Sequence, residues 1–227
     1  MEKEKYSNDY GIDVMVADES HEIYVDTILE TIEAAAKVRG TGIARRSHDY
    51  VAQKMREGKV IIALAGDEFA GFTYIESWGN KQYVATSGLI VADKFRNQGL
   101  ARRIKHASFQ LARLRWPKAK IFSLTSGSAV MKLNSELGYL PVTFADLTDD
   151  ESFWRGCNGC VNHDVLISRQ RRFCICTAML FDPEDERCLQ LEKMCHNLAK
   201  KEAKKRKGEI KNGSPVLEKK IEMLQQS

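Results

Sequence analysis

The stretch GLIVADKFRNQGLARR, Gly88–Arg103, decides the fold of this chain. An apolar, β-rich run at Gly88–Val91 leads into a short basic segment, and an amphipathic helical pattern starts directly after Gly99. A helix that begins at a glycine-containing turn leaves several backbone N–H groups unpaired, at the positive end of its dipole. The stretch therefore predicts a strand, a tight turn and a helix whose first turn can bind a phosphate or pyrophosphate.

The side chains of the turn fit the same interpretation. Gly99 lets the backbone approach an anion closely, and the small side chain of Ala101 lets the backbone approach the anion at a second position. Three arginines add charge that can pair with phosphate oxygens: Arg96, Arg102 and Arg103. An ordinary β-to-α turn without a ligand is the alternative, because the pattern R-x-x-G-x-A is short.

The patterns on either side of this turn predict an α/β (α+β) domain. The order is one strand, two helices capped by Ser20 and Ser47, three strands, the helix after Gly99, and then strand, helix and strand. A hairpin is indicated around Gly66, and the last strand is expected at Leu140–Phe144. We predict one domain over residues 12–145 with a central mixed sheet flanked by helices. A Cys-rich C-terminal appendage (146–183) and a charged helix with a basic tail (184–227) would follow it.

Composition and charge exclude several classes of protein. Hydrophobic residues make up 43% of the 227 residues, which is enough for a core, and no apolar run is long enough to span a membrane. We expect a cytoplasmic location, because the first residues lack the apolar segment of a secretory signal. The net charge of +4 is concentrated in the tail from Lys200 to Lys211, so nucleic acid is not the expected partner of the body.

The segment GLIVADKFRNQGLARRI resembles the acyl-CoA-binding segment of the GNAT superfamily of N-acyltransferases, whose signature is Arg/Gln-x-x-Gly-x-Gly/Ala. The resemblance extends over roughly Asp13–Phe144 and includes the order of the elements. It implies acetyl-CoA or another acyl-CoA as co-substrate, with the pantetheine arm pairing like an added strand with Leu89, Ile90 and Val91. It also implies that the pyrophosphate lies on the amides of Asn97, Gln98, Gly99, Leu100, Ala101 and Arg102.

The sequence departs from this family where a proton is delivered to the leaving thiolate. Many members carry a tyrosine four residues before the glycine of a terminal Gly-Phe or Gly-Tyr pair. Gly138-Tyr139 is that pair here, and Asn134 occupies the tyrosine position. An amide cannot supply the proton, so Ser126, Ser128 and Tyr139 are alternative donors. A narrower resemblance links KIFSLTSGSAVMKLNSELGYLPV to bacterial N-acetylglutamate synthases.

The amine acceptor needs a base and a binding group. Glu76, at the end of a predicted strand, is the first candidate for the base, and Glu33 is the second; a solvated strand-end residue is the alternative for Glu76. Arg45 and Arg46, in the loop between the first two helices, could bind a substrate carboxylate, although an exposed basic loop would look the same. An acidic amino acid such as glutamate is the expected small-molecule substrate.

Six cysteines follow Phe153 and leave the main body without any, which fits thiols or metal ligands better than disulfides. Four of them, in a C-x-x-C and a C-x-C pair, could hold a structural zinc, with His163 as a substitute ligand: Cys157, Cys160, Cys174 and Cys176. Reduced, partly buried thiols are the alternative. Cys188 and Cys195 instead fall on one helical face with Leu191 and Leu198, which indicates packing.

These features together predict an acyl-CoA-dependent N-acyltransferase that modifies a small acidic amino acid by direct attack in a ternary complex. Acetylation of protein amines and a non-catalytic acyl-CoA sensor are the alternatives. The oligomeric state stays open, with a homodimer as one option.

Overall fold

The computed structural model describes residues 11–39 and 46–205. Its centre is one sheet of seven strands in the order β1-β2-β3-β4-β5-β7-β6. The strands are β1 (Ile12–Val16), β2 (Val60–Ala65), β3 (Glu68–Trp78), β4 (Tyr83–Val91), β5 (Lys120–Thr125), β6 (Leu140–Val142) and β7 (Thr177–Phe181). All neighbours are antiparallel except β4 and β5, which run parallel. The predicted mixed sheet is confirmed.

Seven α-helices surround the sheet in the described part of the chain. They are α1 (Val25–Arg39), α2 (His48–Arg56), α3 (Leu100–Arg115), α4 (Ser128–Glu136), α5 (Glu151–Arg155), α6 (His163–Ser168) and α7 (Glu186–Lys205). A 3-10 helix at Glu19–Tyr24, capped by Asp18 instead of Ser20, precedes α1. Ser47 caps α2 as predicted, since its side chain accepts a hydrogen bond from the amide of Tyr50. None of the helices in the described ranges is both long and apolar enough to cross a lipid bilayer.

The last strand, β7, corrects the predicted division of the chain. It lies inside the sheet between β5 and β6, with Phe122 paired to Leu180 and Leu140 paired to the same residue from the other side. The sheet therefore does not end near residue 145. The Cys-rich residues form an insertion between β6 and β7, which we call the 143–176 insertion, and not a C-terminal appendage.

The two faces of the sheet are covered by different elements. On one face, α3 and α4 pack over a core that includes Ile104, Leu111 and Ile121. The other face is shared: α1 and α2 cover β2 and β3, while the 143–176 insertion covers β4, β5 and β7 through Phe144 and Trp154. Burial of these apolar side chains supplies the main stabilisation.

Helix α7 packs on the body only through its first half. Cys188 is buried there, and a Cβ at Gly138 would lie 2.6 Å from its carbonyl oxygen, so the close approach requires glycine. Arg113 of α3 donates to the carboxylate of Glu192 at 2.8 Å. The predicted packed stripe does not continue, because the Leu198 side chain is 53% exposed.

Candidate active site

The edge of β4 that faces β5 is open along most of its length. The two strands pair only at Tyr83–Ala85, and from Thr86 onward β4 keeps hydrogen-bonded partners on the β3 side alone. On β5, Ser123, Leu124 and Thr125 pair with β7 instead. Parallel strands that separate in this way leave a slot whose β4 wall is an open strand edge. Near the end of this edge, the Val91 carbonyl oxygen accepts a hydrogen bond from the Arg96 Nε at 3.2 Å.

The slot ends at the N-terminus of α3, where the chain takes an unusual backbone path. Asn97 and Gly99 both have positive φ, 62° and 78°. Among the described residues, no hydrogen-bond acceptor is found for the five consecutive amides from Asn97 to Ala101. The first helical bond runs from the Arg102 amide to the Gly99 carbonyl oxygen at 3.1 Å. Consecutive unpaired amides at a helix N-terminus form a concave site for an anion.

The arginines near this turn are engaged elsewhere. Arg96 lies within 2.6 Å of an Asp93 carboxylate oxygen, and Arg102 within 2.8 Å of one from Glu136. The Arg103 guanidinium donates to the carbonyl oxygen of Ile12 at 2.7 Å. In this conformation the backbone amides, and not these guanidinium groups, are the donors at the turn left without an acceptor in the described chain. Arg96 and Arg102, which are partly exposed, would have to exchange a carboxylate for a phosphate to contribute.

A buried polar group lies where the β4–β5 pairing stops. It consists of Thr86, Lys105 and Tyr139, and we call it the apex group. The Lys105 Nζ donates to the Thr86 hydroxyl at 2.6 Å, and that hydroxyl lies 3.4 Å from the Phe122 carbonyl oxygen of β5. Burial lowers the pKa of the Lys105 ammonium to about 7.

Tyr139, the residue directly before β6, completes the apex group. Its side chain is fully buried against Phe109 and Phe181, and Lys105 Nζ lies 5.2 Å from the ring centroid. The phenol faces Thr86 without closing a hydrogen bond to it. Burial raises the pKa of Tyr139, which keeps the phenol protonated.

Asn134, at the position where the family resemblance expects a tyrosine, is also fully buried. Its amide nitrogen contacts the Met179 sulfur at 3.5 Å, and its amide oxygen has no hydrogen-bond partner among the described atoms. Ser126 and Ser128 are exposed around the start of α4. Of the three predicted proton donors, only Tyr139 lies in the apex group.

Arg46 lies on the face of the sheet that α1 and α2 cover. The Arg46 Nε donates to the Tyr74 hydroxyl at 2.7 Å, and its guanidinium carbon lies 5.7 Å from the Tyr74 ring centroid and 6.0 Å from that of Tyr50. Burial raises the pKa of Tyr50. The positive charge of Arg46 also opposes the rise in the pKa of the Cys157 thiol, so Arg46 lies near the 143–176 insertion. Arg45 lies outside the described residues.

Glu76 is poorly placed to act as the base. It is buried, and its carboxylate accepts from Lys59 Nζ at 2.8 Å, forms an ion pair with Lys54 and accepts from the Ser77 amide. Both carboxylate oxygens are therefore already engaged, by two ammonium groups and one amide, and little room is left for a substrate amine. Its role is to neutralise these lysines. Glu33 lies on an exposed face of α1, paired with Lys37 at 3.3 Å.

The four cysteines of the insertion lie close enough to affect one another. Burial raises the pKa of Cys157 to about 11, helped by Cys160 and Cys174, and burial raises that of Cys176 to about 12, helped by all three other thiols. Within the described ranges, however, no group of three or more His, Cys, Asp or Glu side chains is arranged to hold a metal ion. The zinc expectation is therefore not supported, and the geometry is that of packed thiols.

Solved structures with a similar fold place this arrangement in context. An N-acetylglutamate synthase from Neisseria gonorrhoeae, complexed with coenzyme A and N-acetyl-glutamate, matches with a TM-score of 0.54 and 12% identity over 77% of this chain and 35% of that one. An acetyltransferase of the GNAT family from Staphylococcus aureus matches with a TM-score of 0.51 and 13% identity, over 62% of this chain and 91% of that one. This chain has the GNAT fold.

A third solved structure is matched over nearly the whole of its length. The diaminobutyrate acetyltransferase EctA from Paenibacillus lautus, in complex with L-2,4-diaminobutyric acid and coenzyme A, matches with a TM-score of 0.50 and 12% identity, over 76% of this chain and 95% of that one. No family model and no curated protein matches the sequence. At these identities the likeness establishes the GNAT fold alone.

Lys105 is the residue of this GNAT fold that sequence reasoning missed. A lysine on an amphipathic helix is normally exposed, whereas Lys105 is 2% exposed. The sequence does contain a signal for this burial, because the positions four before, three after and seven after Lys105 are the small residues Ala101, Ser108 and Ala112. A lysine within a stripe of small residues indicates a helix face that lies close to its neighbour.

Proposed function

We propose that this protein is an N-acyltransferase that moves an acyl group from acyl-CoA to the amine of a small amino acid. The observation that carries the proposal is the row of five unpaired amides at Asn97–Ala101, at the end of the open edge of β4. A pyrophosphate would accept hydrogen bonds from these amides, and the helix dipole would favour its charge.

The rest of coenzyme A would follow the slot. The pantetheine amides would pair with the open edge of β4 at Leu89–Val91, as an added strand does. From the pyrophosphate this path leads back along β4 toward Thr86, so the thioester would lie near the apex group. The amine would then attack the thioester carbon directly, since both substrates meet where the slot narrows.

For the acceptor, we propose an amino acid that carries an acidic side chain, such as glutamate. Arg46 is held by the Tyr74 hydroxyl and by the rings of Tyr74 and Tyr50, and we assign it to the acceptor side of the slot. A guanidinium held in this way is suited to binding a carboxylate. The Neisseria synthase holds N-acetyl-glutamate, which is consistent with this substrate class. With Glu76 neutralised by lysines, the amine proton would pass to water.

The test is mass spectrometry of amino-acid mixtures incubated with the protein and either acetyl-CoA or succinyl-CoA. We expect an acylated acidic amino acid, and we expect Arg46→Gln to raise its KM at least tenfold. The matched control is Arg187→Gln, because that arginine is exposed and pairs only with the nearby Asp185 among the described residues. Absence of any product, while coenzyme A binds, would favour an acyl-CoA sensor; acylated protein lysines would favour the protein-acetylating alternative.

A further inference from the structure

The apex group contains a buried cation that the proposed reaction has not yet used. Lys105 is 2% exposed, and its ammonium has one hydrogen-bond partner in the described chain, the Thr86 hydroxyl at 2.6 Å. Burial of an ammonium without a carboxylate partner is energetically unfavourable. A group kept in so unfavourable a place is a candidate for a functional role.

The apex group lies at the point that the thioester would reach. Thr86 is the first residue of β4 beyond its pairing with β5, and it is at the far end of the slot from the amides of Asn97–Ala101. Asn134, in the place expected for a tyrosine acid, is an amide and cannot release a proton at neutral pH. A proton donor for the leaving thiolate would therefore have to be another residue on this face of the sheet.

We propose that the Lys105 ammonium supplies, through the Thr86 hydroxyl, the proton that coenzyme A sulfur takes when it leaves. This inference rests on the proposed acyltransferase function. Tyr139 remains protonated beside the relay. Lys105 acts through Thr86 and does not itself contact the sulfur.

The proton and electron balance of this step is complete. The neutral amine nitrogen forms a bond to the thioester carbon and loses one proton to water. The C–S bond breaks with its electron pair on sulfur; sulfur takes the Thr86 hydroxyl proton, and Thr86 takes one from Lys105. The lysine is left neutral and regains a proton from solvent after coenzyme A departs.

Groups that face Lys105 determine how the relay depends on pH. β4 contributes the Thr86 hydroxyl, and Tyr139, the residue directly before β6, contributes its protonated phenol. No charged side chain of the described strands and helices shifts the Lys105 pKa from the value of about 7 that burial sets. Because the relay needs the ammonium form, kcat should fall as pH rises above that value. The requirement for a neutral amine limits the rate on the acidic side.

The experiment compares wild type, Lys105→Met and Thr86→Val, with Ser108→Ala as a control for a buried hydroxyl on the same helix. Acetyl-CoA and L-glutamate are the substrates, and acetyl-seleno-coenzyme A replaces acetyl-CoA in a parallel series. A selenolate is a much weaker base than a thiolate and leaves without a proton. We expect both relay variants to lose about 100-fold in kcat with the thioester, to lose the alkaline fall, and to recover most of the rate with the selenoester.

The double variant should be no slower than either single one, because both belong to one relay. Equal kcat for wild type and Lys105→Met, or a loss in Thr86→Val that the selenoester does not restore, would overturn the relay while leaving the acyltransferase intact. A wild-type protein that binds coenzyme A but transfers no acetyl group would overturn the proposed function and the relay together.

Discussion

At the scale of single residues, substitution of Gly99 can distinguish an effect on ligand binding from an effect on backbone conformation. Its φ is 78°, and a Cβ built there would meet no atom within 4 Å, so the space beside it is open for an anion. Gly66, in the turn between β2 and β3, has φ of 61° and equally open surroundings. The two glycines therefore share the same backbone strain on substitution.

We predict that Gly99→Leu lowers the affinity for coenzyme A more than tenfold, because the side chain fills the space in front of the amides. Gly66→Leu should bind coenzyme A normally. Both should lose about 1 kcal/mol of stability from the left-handed backbone. Calorimetric titration with coenzyme A and thermal unfolding of the two variants measure this. Equal affinities would show that the ligand does not use this turn.

Lys105 gives a second prediction, on stability. Its pKa is about 7 in the folded chain, against about 10.5 for a free lysine, so the unfolded chain holds the proton more strongly. The loss of folding stability caused by burying the Lys105 ammonium is complete below pH 7 and disappears as pH rises toward 10.5. Lys105→Met should therefore raise the melting temperature by several degrees at pH 6 and by much less at pH 10.

Thermal unfolding across this pH range is the measurement, with Lys118→Met as control because Lys118 is exposed. A gain that does not change between pH 6 and pH 10 would mean that Lys105 is not buried as an ammonium.

At the scale of elements, the 143–176 insertion behaves as part of the core. Trp154 of α5 is 6% exposed, its ring lies 4.9 Å from that of Phe153, and its indole nitrogen donates to the Thr148 carbonyl oxygen at 2.8 Å. The cluster that contains it includes Ala85 and Phe122 of the sheet. Loss of the Trp154 side chain should therefore destabilise β4 and β5 as well as the insertion.

We predict that Trp154→Ala destabilises the whole protein by about 3–5 kcal/mol in one cooperative transition. Ile167→Ala, in α6 of the same insertion, should cost less than about 0.5 kcal/mol because Ile167 is 49% exposed. Urea unfolding followed by far-UV circular dichroism is suitable. A second, separate transition in Trp154→Ala would indicate an appendage that folds independently.

The sequence predicted the elements that local patterns determine. β4, the turn at Gly99 and α3 were found because alternation, a glycine and a helical stripe occur within one short stretch. The place of β7 was not predicted, since its partners Ile121–Thr125 and Leu140–Val142 are distant in sequence and its own five residues lie next to cysteines that suggested another role. The contacts of Glu76 could not be predicted for a similar reason: its partners Lys54 and Lys59 lie outside its own strand.

At the scale of the whole molecule, the sheet needs residues from both ends of the described chain. A chain that ends at residue 145, the boundary expected from sequence, would lack β7 and leave β6 without its neighbour. We predict that this truncated chain is unfolded or aggregated, whereas the full chain folds. Circular dichroism and size-exclusion chromatography of both would decide; a folded, monomeric fragment would contradict the observed topology.

The position of β7 also imposes an order on synthesis. β6 leaves the ribosome first, yet the strand that must lie between it and β5 is made only after the whole 143–176 insertion. Until then the nascent chain exposes the edge of β5, a row of unpaired amides and carbonyls that can pair with another chain. While the insertion is being translated, β6 therefore has no partner strand and β5 forms an exposed edge, so a ribosome that pauses there holds the nascent sheet in the form most prone to pair with another chain.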